Sequence, residues 1–240
     1  MAIARKICAE VSSVIKHSNE VCTLILRPLE PLPKFHPGQF LHLSLDPYDP
    51  TKQWPESRVF SIASSPLRSG SIRITLAVKG RFTRKMFDEI RYGTSVFLKL
   101  PYGDLSFEPN GRDKVLIAGG TGITPFVSFL EYLLDVGVQA SVKLFYGVRS
   151  RHLIIYDELL DECSRKLELF SKSVFVEDIL GDDQEYQRGR LDIETIFARV
   201  NGAQSSEFYL SGPPLMMKSF EAYLMAHSVT RERIFADQWE

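Results

Sequence analysis

The sequence predicts two modules of different class in one chain: a six-stranded antiparallel β barrel, then an α/β unit built on a parallel sheet. Three observations carry this prediction. Residues 5 to 107 hold six short apolar or alternating runs separated by Pro, Gly and Asp, the spacing of a small closed barrel. From Val115 onward, apolar runs alternate with helical periods, which demands crossover helices over a parallel sheet. Between the two lies Phe107 to Lys114, polar and rich in turn residues. It is the expected linker, with the modules at residues 1–108 and 109–240.

The barrel strands are expected at Ile7 to Ile15, Val21 to Arg27, Phe40 to Leu45, Arg58 to Ile62, Ile72 to Val78 and Ser95 to Leu100. Pro28, Pro31, Pro33 and Pro37 stiffen the crossover after the second strand, and Pro37-Gly38 turns the chain into the third. Phe82, Met86, Phe87 and Ile90 line one face of a short helix expected over Thr83 to Ile90. In the second module, strands are expected at Val115 to Ala118, Val142 to Tyr146, Ser173 to Val176, Phe208 to Leu210 and Arg233 to Phe235. The helices between them run to Leu134, near Tyr156 to Arg165, near Asp192 to Arg199, and over Pro214 to His227.

Composition narrows the class of function. The 240 residues suffice for two modest cores, and 44% hydrophobic with 25% charged residues is ordinary globular usage. A formal net charge of -1 gives no reason to expect nucleic acid or an anionic membrane as partner. No apolar run approaches the roughly 20 residues of a membrane span, and Met-Ala-Ile-Ala-Arg-Lys lacks a signal-peptide core. A cytoplasmic protein without membrane insertion is the expectation. Cys8, Cys22 and Cys163 are too scattered for a disulfide framework or an iron–sulfur run, and the five histidines share no ligand spacing. No metal site is expected.

The stretch Val115-Leu-Ile-Ala-Gly119-Gly120-Thr121-Gly122-Ile123-Thr124-Pro125 reads as a buried strand, a glycine turn and a helix start. Pro125 suits a first helical turn, where its missing N–H costs nothing. Backbone amides at such a bend, with the positive end of the helix dipole, attract phosphate oxygens. The spacing is neither G-x-G-x-x-G nor the phosphate-loop pattern ending in Gly-Lys-Ser/Thr.

Its companions make an ordered set. Arg58-Val59-Phe60-Ser61 fits Arg-x-aromatic-Ser and is followed by Ile-Ala-Ser-Ser-Pro66; Gly80-Arg81-Phe82-Thr83 fits Gly-x-x-Ser/Thr at a helix head. With Pro37-Gly38-Gln39-Phe40, Pro101-Tyr-Gly103, Gly119 to Gly122, Tyr146-Gly147-x-Arg149 and Ser211-Gly212-Pro213-Pro214, the chain resembles the ferredoxin-NADP reductase superfamily from about Val11 to Trp239. The resemblance implies a barrel that binds FAD and an α/β module that binds NAD(P)H. Phe60 would stack on the flavin ring, Arg58 and the helix after Gly80 would meet its diphosphate, Ser61 would stand beside N5, and Ala77, Val78 and Lys79 would touch the AMP half. On the second module the resemblance assigns the dinucleotide diphosphate to Gly120, Thr121 and Gly122, its ribose and adenine to the Tyr146 to Arg149 segment with Gly147, and its nicotinamide to Ser211, Gly212 and Pro213. Most relatives carry cysteine where Ser211 stands. Asp237 and Trp239 match an acidic residue and an aromatic one near the family's C-terminus, and Trp239 would cover the second flavin face. Ser61, Ser211 and Asp237 are the candidate catalytic residues.

Arg149 and Arg190 suit a 2'-phosphate, whereas Val176-Glu177-Asp178 ends the third strand of the second module with carboxylates suited to free ribose hydroxyls. NADH is slightly preferred. The implied activity is a stand-alone reductase passing electrons through FAD to a separate acceptor: ferredoxin, flavodoxin, an oxygenase component or a free small molecule. Two other readings remain, a flavin reductase that releases reduced flavin and a noncatalytic FAD-binding electron-transfer subunit.

Overall fold

The computed structural model describes residues 3–107, 110–178 and 185–237. By residue contacts the chain divides into two compact units, Met1–Phe107 with Thr124–Asp135, and Glu108–Ile123 with Val136–Glu240.

The first unit holds strands β1 (Arg5–Lys16), β2 (Val21–Pro28), β3 (Phe40–Ser44), β4 (Ser57–Ser61), β5 (Ile72–Ala77) and β6 (Ser95–Tyr102), with helix α1 (Arg81–Glu89) between the last two. The strands form one antiparallel sheet in the order β4-β3-β6-β1-β2-β5. Just past β4, the Ala63 N–H donates to the Arg73 carbonyl of β5 at 2.7 Å, nearly closing the barrel. Alternation builds its core: Ile7, Ala9 and Val11 are at most 3% exposed, while Cys8 and Glu10 between them are only partly buried. The alternation does not run straight through β1. A bulge between Val11 and Ser13 shifts the register, so that Val14 rather than Ser13 packs on the core.

Helix α1 starts two residues before the sequence expectation. Gly80 is extended and serves as its N-cap, and Thr83 folds its hydroxyl back onto that residue. Phe82, Met86 and Phe87 enter the barrel core, each contributing about 1.5–3 kcal/mol by leaving water.

The second unit's strands β7 (Lys114–Gly119), β8 (Val142–Val148), β9 (Phe170–Val176), β10 (Gln187–Arg188), β11 (Glu207–Ser211) and β12 (Ile234–Ala236) are all parallel, in the order β10-β9-β8-β7-β11-β12. Helices α2 (Thr124–Val136), α3 (Asp157–Lys166), α4 (Ile193–Ala198) and α5 (Pro214–Ala226) alternate with the strands along the chain. Ile193 and Ile196 of α4 and Phe220 and Leu224 of α5 pack with Val115, Ile117, Phe208 and Leu210 of the central strands. The two-residue β10 has too little pattern to be read from sequence. Among the described residues no helix is long and apolar enough to cross a membrane.

By contacts α2 goes with the barrel. Phe107 stacks on Phe129 with ring centroids 4.4 Å apart and meets Phe126 edge-on at 6.0 Å. Ser128 Oγ donates to the Ser64 carbonyl at 2.7 Å.

Candidate functional site

In the barrel, β4 pairs with β3 so that Phe60 lies opposite Leu41 and Ser61 opposite Phe40. Phe60 is 6% exposed and belongs to the barrel core, and Ser61 is 2% exposed. Val59 lies opposite His42, half-buried. Arg58 reaches outward: its guanidinium lies 4.9 Å over the Phe82 ring, pairs with Glu56 at 3.0 Å and donates to the Ser57 carbonyl at 2.8 Å. Exposed pairs of this kind are worth at most about 1 kcal/mol. Arg58 can therefore exchange Glu56 for another anion at little cost.

Ala77 ends β5 opposite Val21, and the Val78 N–H donates to the Glu20 carbonyl at 2.8 Å. The Lys79 and Gly80 N–H groups both donate to Thr83 Oγ1, at 2.9 and 3.1 Å. That leaves the first-turn amides of α1, at Arg81 and Phe82, without a helical carbonyl behind them. A Cβ on Gly80 would touch nothing within 4 Å. Beside this turn is a cavity of about 280 Å³ lined by Leu45, Asp46, Glu56, Arg81, Phe82 and Lys85. A half-exposed guanidinium, a helix N-terminus and open backbone make a donor set that fits a diphosphate.

The second constellation sits at the C-terminal edge of the parallel sheet. Chain order reverses direction between β7 and β11, and ligands of open parallel sheets bind outside the strand ends at such a switch point. Two loops touch there. A Cβ on Gly119 would fall 2.7 Å from Pro213 Cδ, one on Gly122 would strike the Ser211 carbonyl oxygen, and one on Gly212, at φ +149, would fall 2.9 Å from the Gly119 nitrogen. Gly122 and Gly212 thus admit neighbouring backbone, and Gly119 admits the Pro213 ring. Gly120 differs: it is left-handed, at φ +55, with nothing within 4 Å of a Cβ. It opens a 3-10 turn, Gly120–Ile123, through Thr121, and α2 starts only at Thr124 with Pro125 in its first turn.

Ser211 Oγ donates to Asp237 Oδ2 at 3.1 Å, and both residues are buried, at 3% and 6% exposure. The Asp237 N–H donates to the Leu210 carbonyl at 2.9 Å, holding the carboxylate where β11 ends. The structure thus joins two residues 26 positions apart that the sequence flagged separately. Trp239 lies outside the described residues.

At the end of β8 a Cβ on Gly147 would fall 2.6 Å from Leu191 Cγ. Tyr146 is fully buried and its hydroxyl accepts from the Ile155 N–H at 3.4 Å; burial pushes its pKa well above the ordinary phenol value. The Arg149 carbonyl accepts from the Asp178 N–H at 2.8 Å, and its guanidinium lies 3.6 Å from the same aspartate. Arg190 pairs with Glu177 at 2.8 Å. Both arginines suited to a 2'-phosphate are thus matched with carboxylates at the tip of β9.

Sequence reasoning missed two buried ionic clusters. In the barrel unit, Glu131 of α2 meets Arg68, Arg73 and the Ser65 N–H. Its signal was an acid within the apolar run Phe126 to Leu134, on one helical face with Ser128 and Asp135. In the second unit Lys114, 1% exposed, pairs with Glu207 at 3.0 Å, and Asn110, Arg112 and Tyr209 also bond that carboxylate. Burial alone would raise the Glu207 pKa, but these donors and the Lys114 charge outweigh it and hold the group below the ordinary carboxylate value. No sequence signal beyond a lysine opening a buried strand pointed there.

A nearly closed antiparallel barrel followed by a parallel sheet with glycine loops at its switch point is a two-module fold shared with FAD/NAD-binding domains. Residues 116–222 match the oxidoreductase NAD-binding domain family. The chain is 27% identical over 241 residues to the reductase component of propane 2-monooxygenase from Mycolicibacterium goodii, covering 96% of this chain and 66% of that protein. It is 30% identical over 210 residues to the xylene/toluene monooxygenase electron transfer component XylA of Pseudomonas putida, covering 85% and 57%. It therefore spans about two-thirds or less of the length of these relatives. The flavohem-like FAD/NAD binding domain of nitric oxide dioxygenase from Vibrio cholerae superposes with a TM-score of 0.82 at 21% identity, covering 96% of this chain and 97% of that one. The second half of the chain thus matches an oxidoreductase NAD-binding domain, and the whole chain shares the fold of FAD/NAD-binding reductase domains.

Proposed function

We propose that this protein is an NAD(P)H-dependent flavoprotein reductase, with residues 1–108 holding FAD and residues 109–240 binding the nicotinamide dinucleotide. When bound, the flavin supplies the conversion of a two-electron hydride into single electrons. The chain supplies geometry. Arg58, Gly80, Arg81, Phe82 and Thr83 hold the diphosphate, Ala77, Val78 and Lys79 border the AMP half, and Val59 and Phe60 border the ring. Ser61 holds a hydroxyl for proton exchange at N5. Gly120, Thr121 and Gly122 bind the dinucleotide diphosphate, Gly147 and Arg149 its adenosine half, and Ser211, Gly212 and Pro213 its nicotinamide. Asp237 orients the Ser211 hydroxyl, and Trp239 covers the flavin.

One observation carries the reading: at the β7/β11 switch point the glycine turn meets the Ser211 loop, and there a buried serine is hydrogen-bonded to a buried aspartate. Pairing of Arg149 and Arg190 with Asp178 and Glu177 supports NADH over NADPH. The electrons go to a separate acceptor, a small electron carrier such as a ferredoxin or flavodoxin or an oxygenase component. Cys8, Cys22 and Cys163, not joined in disulfides among the described residues, suit a reducing, cytoplasmic setting.

Absorption spectroscopy after exhaustive gel filtration tests the assignment. One retained FAD per chain, with NADH oxidised faster than NADPH, is the expected result. Flavin lost on the column but turned over when added would favour a flavin reductase, and retained flavin that NADH leaves oxidised would favour a noncatalytic subunit.

A further inference from the structure

The segment just after Ser61 is held at each residue by side chains of a neighbouring strand and helix. Glu131, at 3% exposure, accepts from the Ser65 N–H at 3.1 Å and from Arg73 Nη2 at 2.5 Å, and pairs with Arg68 Nη1 at 3.1 Å. Arg73 donates from Nε and Nη2 to the Ala63 carbonyl at 2.9 and 2.7 Å, and its N–H donates to Ser64 Oγ at 3.2 Å. Ser128 Oγ donates to the Ser64 carbonyl at 2.7 Å, the Arg68 N–H donates to the Ser65 carbonyl at 3.1 Å, and the Arg68 guanidinium reaches Asp135 at 2.7 Å. Ala63, Ser64 and Ser65 are all buried.

A buried carboxylate with two guanidinium partners is a poor way to gain stability, because desolvation consumes much of the Coulomb attraction and apolar replacements often do as well. What such a cluster gives is a fixed position. Its ligands span the backbone of residues 63–65, two residues beyond Ser61, and the same arginine sits on β5 where the barrel seam nearly closes.

We propose that Glu131 and Arg73 are positioning residues for the flavin: through Ala63 to Ser65 they fix the backbone that presents Phe60 and Ser61 to the ring. This rests on the flavoprotein reading above. Glu131 touches neither cofactor nor substrate; it acts through the segment. Loss of its charge lets residues 63–65 drift and shifts Ser61 from its hydrogen-bonding position.

The test compares Glu131→Gln and Arg73→Lys with Glu207→Gln, a variant of the buried carboxylate paired with Lys114, in a cluster that includes no residue of β4. FAD is titrated into flavin-free full-length chain by fluorescence quenching, the visible circular dichroism of the bound flavin is recorded, and thermal midpoints are measured in parallel. The expected result is an FAD Kd raised at least fivefold and an altered flavin dichroism in Glu131→Gln and Arg73→Lys, with both unchanged in Glu207→Gln. Should Glu131→Gln not fold, Arg73→Lys, which keeps the charge but loses the two-pronged hold on Ala63, decides by the same readouts. Wild-type Kd and dichroism in the variants that fold, whatever their thermal midpoints, would overturn the proposal. A wild-type chain that binds no FAD would instead overturn the flavoprotein reading beneath it.

Discussion

The two ends of the parallel sheet are built on opposite principles. At the N-terminal ends of β7 and β11, Lys114 and Glu207 are buried with Asn110, Arg112 and Tyr209 around them. At the C-terminal ends of the same two strands, glycines admit the Ser211–Pro213 loop at close range, and Ser211 donates to Asp237. Polar groups at the first end are consumed by one another, whereas the second end keeps backbone amides and an oriented hydroxyl at a switch point. Structure is secured at one edge, and the other is the edge proposed to bind the dinucleotide.

The largest expected effect breaks the first end without touching the second. Lys114→Met leaves the Glu207 carboxylate buried without its cation and should cost about 3–5 kcal/mol of stability, read by chemical denaturation, while FAD content per folded chain stays constant. The same end gives a pH signature. Because the folded-state pKa of Glu207 lies below its ordinary value, its contribution is present above the ordinary carboxylate range and is lost as pH falls through the depressed folded pKa. Denaturation midpoints of Glu207→Gln should therefore fall less steeply on acidification than those of the wild type.

Gly122→Ala comes next. Its Cβ would strike the Ser211 carbonyl, and the shift needed to relieve it costs about 1–3 kcal/mol by analogy with overpacked cores. NADH affinity should fall by tenfold or more, measured by titration of the oxidised protein. If Gly122→Ala binds NADH as well as the wild type, the C-terminal edge is not the dinucleotide site. Ser211→Ala should slow NADH-driven flavin reduction about tenfold, some 1.4 kcal/mol of activation free energy, with FAD retention unchanged. The smallest effect sharpens the cofactor preference: Glu177→Gln releases the exposed Arg190 from its half-buried partner and should raise the NADPH-to-NADH ratio of kcat/KM about threefold.

Sequence revealed the architecture wherever periodicity was long. The inward residues Ile7, Ala9 and Val11, and the buried strand Val115 to Ala118 followed by the amphipathic stretch Phe126 to Leu134, each declared their element. It did not reveal the bulge after Val11, because a register shift depends on the paired strand, nor β10, whose two residues carry no period. The glycine turn was legible as a candidate site but not in its division of labour: only coordinates separate Gly119, which admits the Pro213 ring, and Gly122, which admits the Ser211 backbone, from the left-handed Gly120. Ser211 and Asp237 were each flagged, yet their hydrogen bond arises from β12 pairing beside β11, a contact no local pattern encodes. Glu131 and Glu207 escaped because their cations lie 58 and 93 residues away.

Anaerobic rapid mixing of the flavin-loaded protein with NADH is the most direct test of the central claim. Bleaching of the flavin absorption band in a saturable, NADH-dependent phase, about tenfold slower in Ser211→Ala, is the predicted result. A flavin band that stays fully oxidised in the wild type, with both NADH and NADPH in excess, would contradict it.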